Sequence, residues 1–195
     1  VHLALEHQEI DRIPIATICA GINKPAYEDL EKHLKRERGI DVDTYLTPLI
    51  DIKTVGPQYI GPQLAPGEDI WGVRRKPVSY GSGSYNEIAF YPLADVRSVD
   101  DLKKHRWPST EWFDYSVLPG RMAAAQEDGE HCLMISNGNI FETSWYMRGF
   151  EKMFMDFVLN PELVREVLKR VADFYMDHFK RMLSAARGGV DLAFT

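Results

Sequence analysis

Apolar residues recur at helical spacing most clearly after residue 160. Leu163, Val164, Val167, Leu168, Val171, Phe174, Tyr175, Phe179, Met182 and Leu183 form one stripe. Asn160 stands at the cap, Pro161 fits the first helical position, and Gly188-Gly189 ends the run. A long amphipathic helix is predicted there. Other helices are predicted at residues 1–8 (the end of one), from Pro25 to Arg38 closed by Gly39, from Tyr115 to about Asp128, and over roughly 141–158. Ser98-Val99-Asp100-Asp101 resembles a capping box and opens a short helix that ends before Trp107-Pro108. Short apolar runs at Ile15–Cys19, Leu49–Val55, His131–Ser136 and Val190–Phe194 predict four buried strands.

Residues 56–92 follow another pattern. Prolines and glycines are spread through them with aromatics between. Alternation over 75–80 and 85–90 predicts a hairpin, with Gly81-Ser82-Gly83-Ser84 as its turn. The segment is too small for a core of its own, so it is an excursion from the main domain.

Strands otherwise alternate with helices, which argues for a parallel sheet. A doubly wound sheet and a closed barrel both fit the pattern. No GxGxxG follows the first strand, which disfavours a dinucleotide-binding sheet. A (β/α)8 TIM barrel needs about 250 residues. Four strands in 195 residues, with an excursion, make about the N-terminal half of a single barrel domain. Val1 falls inside a helical pattern and Thr195 follows a strand without a closing element, so a fragment is expected.

Composition narrows the class. The chain is 45% hydrophobic and 27% charged, with a net charge of -6. It can bury a core, and its one basic cluster, Val73-Arg74-Arg75-Lys76, is too short for nucleic acid and reads as a solvated loop. Cys19 and Cys132 sit in no CxxC or HxC spacing, so no metal site is readable from spacing. Two cysteines and six histidines, with no signal peptide and no long apolar run, point to the cytoplasm and no membrane span.

In a barrel, chemistry gathers at the carboxyl ends of the inner strands. That rule selects Cys19–Asn23, Asp51–Lys53, Asn137–Glu142 and whatever follows Thr195. Asp51 is a candidate acid/base or substrate-orienting group, or else a cap or a partner of Lys53. Asn137, Asn139 and Glu142 are candidates to bind a polar substrate, with one asparagine expected to cap the following helix. Tyr146 lies one turn beyond Glu142, either as a catalytic donor to substrate or as a core aromatic beside Trp145. His131, Cys132 and His178 read as structural, and the methionines as core.

Several stretches resemble one family. Ala4-Leu5-Glu6-His7-Gln8-Glu9-Ile10-Asp11-Arg12-Ile13-Pro14, Asp69-Ile70-Trp71-Gly72-Val73, Tyr91-Pro92-Leu93-Ala94, Trp145-Tyr146-Met147-Arg148-Gly149-Phe150-Glu151 and Asn160-Pro161-Glu162 are similar, in that order, to the uroporphyrinogen decarboxylase superfamily. The resemblance implies a (β/α)8 barrel with a cleft at the strand ends. It implies one of two activities: the cofactor-free haem-pathway decarboxylase, or methyltransferases that use a corrinoid or a thiol, many with zinc. Asp51 and Tyr146 correspond to the decarboxylase's active-site aspartate and tyrosine. Its arginine-rich stretch after the first strand has no counterpart, because Cys19-Ala20-Gly21-Ile22-Asn23-Lys24 holds no arginine. Lys24 alone cannot bind carboxylates in bidentate fashion. The methyltransferases' zinc ligands would lie beyond Thr195.

The leading expectation is therefore a methyltransferase moving a methyl group from a small methylated substrate to a corrinoid protein. One alternative is a uroporphyrinogen decarboxylase in which Arg74, Arg75 and Arg148 replace the missing arginines. A second is a non-catalytic half-barrel binding module that needs a partner chain. A homodimer is compatible with each.

Overall fold

The computed structural model describes residues 1–17, 21–81 and 83–195. A short helix α1 (His2–Leu5) leads to α2 (Lys24–Arg38), with Pro25 in its first turn and the Gly39 N–H bonded to the Lys35 carbonyl. Then come α3 (Val42–Leu46), a 3-10 turn at Thr47–Leu49, and strands β1 (Ile52–Val55) and β2 (Gln58–Tyr59). The hairpin is β3 (Arg74–Ser79) and β4 (Ser84–Phe90), paired antiparallel as the alternation predicts. Strand β5 (Phe113–Asp114), α4 (Leu118–Ala125), β6 (Cys132–Ser136), α5 (Ile140–Arg148), α6 (Phe150–Leu159), α7 (Pro161–Ala186) and β7 (Leu192–Phe194) complete the order.

The main sheet is parallel, in the order β1-β6-β7. Ile52 pairs with Cys132, and Met134 pairs with Leu192. Among the described residues three strands make this sheet and it does not close on itself, so these residues form a mixed α/β domain and not a closed barrel. Of the expected first strand, Ala16 makes a single parallel bridge to Ile52. Ile18 and Cys19 lie outside the described residues.

Of the residues its periodicity selects, the long helix buries Leu163, Val164, Val167, Val171, Phe174 and Met182, with His178 beside them, while Leu168, Tyr175 and Phe179 are half-buried. Leu183 faces out. The helix closes on Arg187, in the left-handed region at φ 50°, one residue before the expected glycine pair. The capping box forms: Asp101 N–H reaches Ser98 Oγ at 3.3 Å, and Ser98 N–H reaches Asp101 Oδ2 at 3.2 Å. The expected helix over 141–158 is two helices, because Gly149 adopts φ 93°, ψ 135°, which no side-chain-bearing residue holds cheaply.

Two cores flank α7. One joins Val55, Leu133 and Ile135 of the sheet to Leu118, Met182 and Ala186. The other joins Trp71, Val73, Leu93 and Leu102 to Met147, Leu163, Val167, Val171 and Phe174. The excursion is thus fastened to the domain by burying its apolar residues against α5 and α7. No helix among the described residues is long and apolar enough to cross a membrane.

Candidate functional site

Strand β6 delivers Asn137-Gly138-Asn139 to the carboxyl end of the sheet, and α5 rises from there. Asn139 Oδ1 accepts the Glu142 N–H at 2.9 Å, so Asn139 is the helix cap. The Asn137 N–H donates to the Phe194 carbonyl, and its Nδ2 donates to the Tyr175 carbonyl at 3.1 Å. Those bonds lock the loop to β7 and α7. Asn137 Oδ1 is buried with no partner among the described residues.

Glu142 and Tyr146 lie one turn apart on α5, and the Tyr146 hydroxyl donates to Glu142 Oε1 at 2.7 Å. Burial, and then the Glu142 carboxylate, push the Tyr146 phenol up to about 12. Tyr146 therefore keeps its proton at neutral pH. Glu142 is exposed, and its second oxygen has no protein partner among the described residues.

Three further residues complete the cluster. The Arg75 guanidinium stands over the Tyr146 ring at 4.9 Å. Asp69 Oδ2 holds Arg75 Nη1 at 2.7 Å, while Asp69 Oδ1 accepts the N–H groups of Trp71 and Val73. Tyr175, from α7, shares a 2.7 Å hydrogen bond with Thr143 Oγ1. A Cβ at position 138 would stand 1.9 Å from the Tyr175 hydroxyl oxygen, so only glycine allows this approach.

Sequence reasoning missed Asp69, Arg75 and Tyr175 as members of this cluster. Asp69 was visible within the Asp-Ile-Trp-Gly-Val stretch, but only as a mark of resemblance. By sequence Arg75 reads as part of a solvated loop leading into the hairpin or, in the decarboxylase alternative, as a carboxylate binder, and Tyr175 as part of an apolar stripe. Their convergence depends on the excursion docking across the end of α5.

Asp51 stands at the other end of the sheet. The 3-10 turn at Thr47–Leu49 delays β1 until Ile52, so Asp51 precedes the strand. Its carboxylate takes both guanidinium nitrogens of Arg12, at 2.8 and 2.6 Å, and the Ile15 N–H at 2.7 Å. The Ile15 N–H and then Arg12 hold the carboxyl below the usual range, against the opposing effect of burial. This geometry clamps the chain entry to the amino edge of the sheet. It corrects the expected strand-end placement. Lys53 pairs with Asp128 and the Ala125 carbonyl, not with Asp51. In the stretch Cys19–Asn23, Cys19 and Ala20 lie outside the described residues, and Asn23 Nδ2 donates to the Tyr80 hydroxyl at 3.0 Å.

His131 bonds the Ile50 carbonyl and Asp128 at the amino end. His178 stacks on Phe174 and meets the Tyr115 hydroxyl at 2.7 Å. Both sit as packed structural groups.

No family model and no curated protein matches the chain. Among solved structures it is similar to a methyltransferase from Methanosarcina mazei, at 12% identity and a TM-score of 0.47. The similarity covers 98% of this chain and 56% of that one. The chain thus spans about half the length of that protein.

Of the three arginines that a polycarboxylate site would rely on, Arg148 is engaged away from the cluster. Arg148 is buried, bonded through Nε to Asp156 at 2.7 Å and through Nη1 to the carbonyls of Leu93, Ala94 and Val96. Arg75 is held by Asp69, and Arg74 lies over the Phe90 ring at 4.1 Å in the hairpin.

Proposed function

We propose that this chain supplies the amino-terminal half of a barrel enzyme that takes a methyl group from a small methylated compound and delivers it to a corrinoid protein. The observation that carries the choice is the burial and engagement of Arg148, together with the arginine-free stretch Cys19–Lys24. Arg148 is committed to buried partners and Cys19–Lys24 holds no arginine, so two of the guanidinium sources that a porphyrinogen's carboxylates would call on are not available. This weighs against the decarboxylase alternative and suits a small, weakly charged substrate.

In this reading the Tyr146 O–H, held by Glu142 in the free protein, exchanges that partner for a substrate acceptor, and the Glu142 carboxylate accepts from a substrate donor or faces a cationic methylated group. Asp69 and Arg75 hold the Tyr146 ring in place. Among the described residues the carboxyl end of the sheet gathers no histidine or cysteine cluster, so no step is assigned to a metal there. Zinc or the corrinoid cobalt, when bound through other residues or a partner, supplies the activation of the methyl group.

The test is methyl transfer from a panel of O-, N- and S-methyl compounds to cob(I)alamin by the natural polypeptide that carries this chain. The expected result is turnover of at least one small compound. Release of carbon dioxide from uroporphyrinogen with no methylation of cobalamin overturns the proposal. Binding of a panel compound without turnover selects the non-catalytic module instead.

A further inference from the structure

At the amino end of the sheet, three side chains from distant parts of the sequence converge. Cys132 opens β6 and is buried, Asp191 immediately precedes β7, and His2 lies on α1. One donor atom from each lies within 4.8 Å of the other two. His2 Nε2 is 3.2 Å from Asp191 Oδ1. They border a cleft of about 390 Å³.

We propose that His2, Cys132 and Asp191 form a divalent-metal site of the zinc class that ties α1 to the amino edge of the sheet.

The donor set decides the metal. One imidazole nitrogen, one thiolate and one carboxylate oxygen suit zinc, whereas magnesium and calcium prefer oxygen alone. The charges match as well. A thiolate and a carboxylate neutralise a dication, and among the described residues Asp191 has no lysine or arginine partner. Binding breaks the Cys132 S–H bond, sends the proton to solvent and gives the sulfur electron pair to the metal.

The scaffold is already rigid. Asp191 Oδ2 accepts the Leu133 N–H at 2.7 Å, and the Asp191 N–H donates to the Leu133 carbonyl at 2.8 Å. That backing orients the carboxylate in the manner of an outer-shell contact. Tetrahedral zinc with bonds of about 2.0–2.3 Å sets its donors roughly 3.3–3.7 Å apart, so donors within 4.8 Å of one another must close by about an ångström at most. All three residues line the cleft, which has room for water as a fourth ligand. Sequence spacing could not reveal this site, because its ligands stand at positions 2, 132 and 191. It lies at the end of the sheet away from Tyr146, where a barrel stores stability rather than chemistry. It therefore stands or falls independently of the methyl-transfer reading.

The experiment is a titration of the metal-free protein, without an added polyhistidine tag, using Co2+ as the spectroscopic probe and then Zn2+ as competitor. The expected result is one equivalent of Co2+ with a thiolate-to-cobalt charge-transfer band, displaced by Zn2+, and a melting temperature raised by Zn2+. Cys132→Ala abolishes the band and Cys19→Ala keeps it. His2→Ala changes an exposed residue outside both cores, so it leaves folding intact, and it weakens binding at least about tenfold. Absence of the band in the wild type, its survival in Cys132→Ala, or unchanged affinity in His2→Ala overturns the proposal.

Discussion

Arg148 separates a structural arginine from a substrate-binding one, and the separation can be measured. The residue is 7% exposed and its partner Asp156 is 5% exposed. The pair is joined at 2.7 Å, and Arg148 Nη1 also serves the carbonyls of Leu93 and Val96. Asp156 Oδ1 accepts from Asn160 Nδ2. Arg148→Ala therefore leaves a buried carboxylate without its cation and buried carbonyls without a donor. Breaking one side of such a pair costs about 3–5 kcal/mol. For a chain of this size each kcal/mol moves the melting temperature by roughly 2–4 °C, so a fall of roughly 6–20 °C is expected. The assay is urea and thermal unfolding followed by circular dichroism, with Arg74→Ala as the exposed control, expected within about 0.5 kcal/mol of wild type. A loss below about 1 kcal/mol for Arg148→Ala, with porphyrinogen binding weakened instead, would refute the structural assignment.

Other outcomes follow from the same geometry. Asp51→Ala removes the clamp on Arg12 and Ile15 and is expected to cost about 1 kcal/mol after solvent screening while leaving turnover unchanged; a selective fall in kcat would return Asp51 to the chemistry. Because the Tyr146 phenol is raised to about 12, the folded state binds its proton more tightly than the unfolded chain. Its contribution to stability is present below the free tyrosine value of about 10 and is lost as pH rises toward 12. A phenolate absorbance titration should show one fewer late-ionising tyrosine in Tyr146→Phe, and an unchanged count contradicts the assignment. In Glu142→Gln the Tyr146 value should fall yet stay above that of free tyrosine, since burial is the larger cause. Gly138→Ala drives a methyl group into the Tyr175 hydroxyl and should destabilise by about 1–3 kcal/mol in the same unfolding assay, a neutral result showing that the loop relaxes freely.

Much of the local structure was legible because single residues enforce it. Pro161 and the apolar stripe fix α7, Pro25 and Gly39 bound α2, and Ser98 with Asp101 closes its box within four residues. The hairpin followed from strict alternation. What failed to read depended on contacts far apart in sequence or on one backbone angle. Asp51 looked like a strand residue, but Pro48 and the 3-10 turn push the start of β1 beyond it. Gly149 looked tolerable inside a helix, but its left-handed angle divides the helix in two. On the site, the Glu142–Tyr146 pair was visible from helical spacing alone. Asp69, Arg75 and Tyr175 were not, because nothing local says that the loop holding Asp69 will pack Trp71 against Phe174.

The central claim is that substrate is held at the Tyr146–Glu142 end of the sheet and not at Asp51. The most direct measurement is the KM for the methylated substrate in Tyr146→Phe, Glu142→Gln and Asp51→Ala, side by side in the cobalamin methylation assay. Loss of one neutral hydrogen bond should raise KM about three- to tenfold in Tyr146→Phe, loss of the carboxylate should raise it at least as much in Glu142→Gln, and Asp51→Ala should match wild type. A selective loss in Asp51→Ala, with Tyr146→Phe and Glu142→Gln unaffected, would contradict the account.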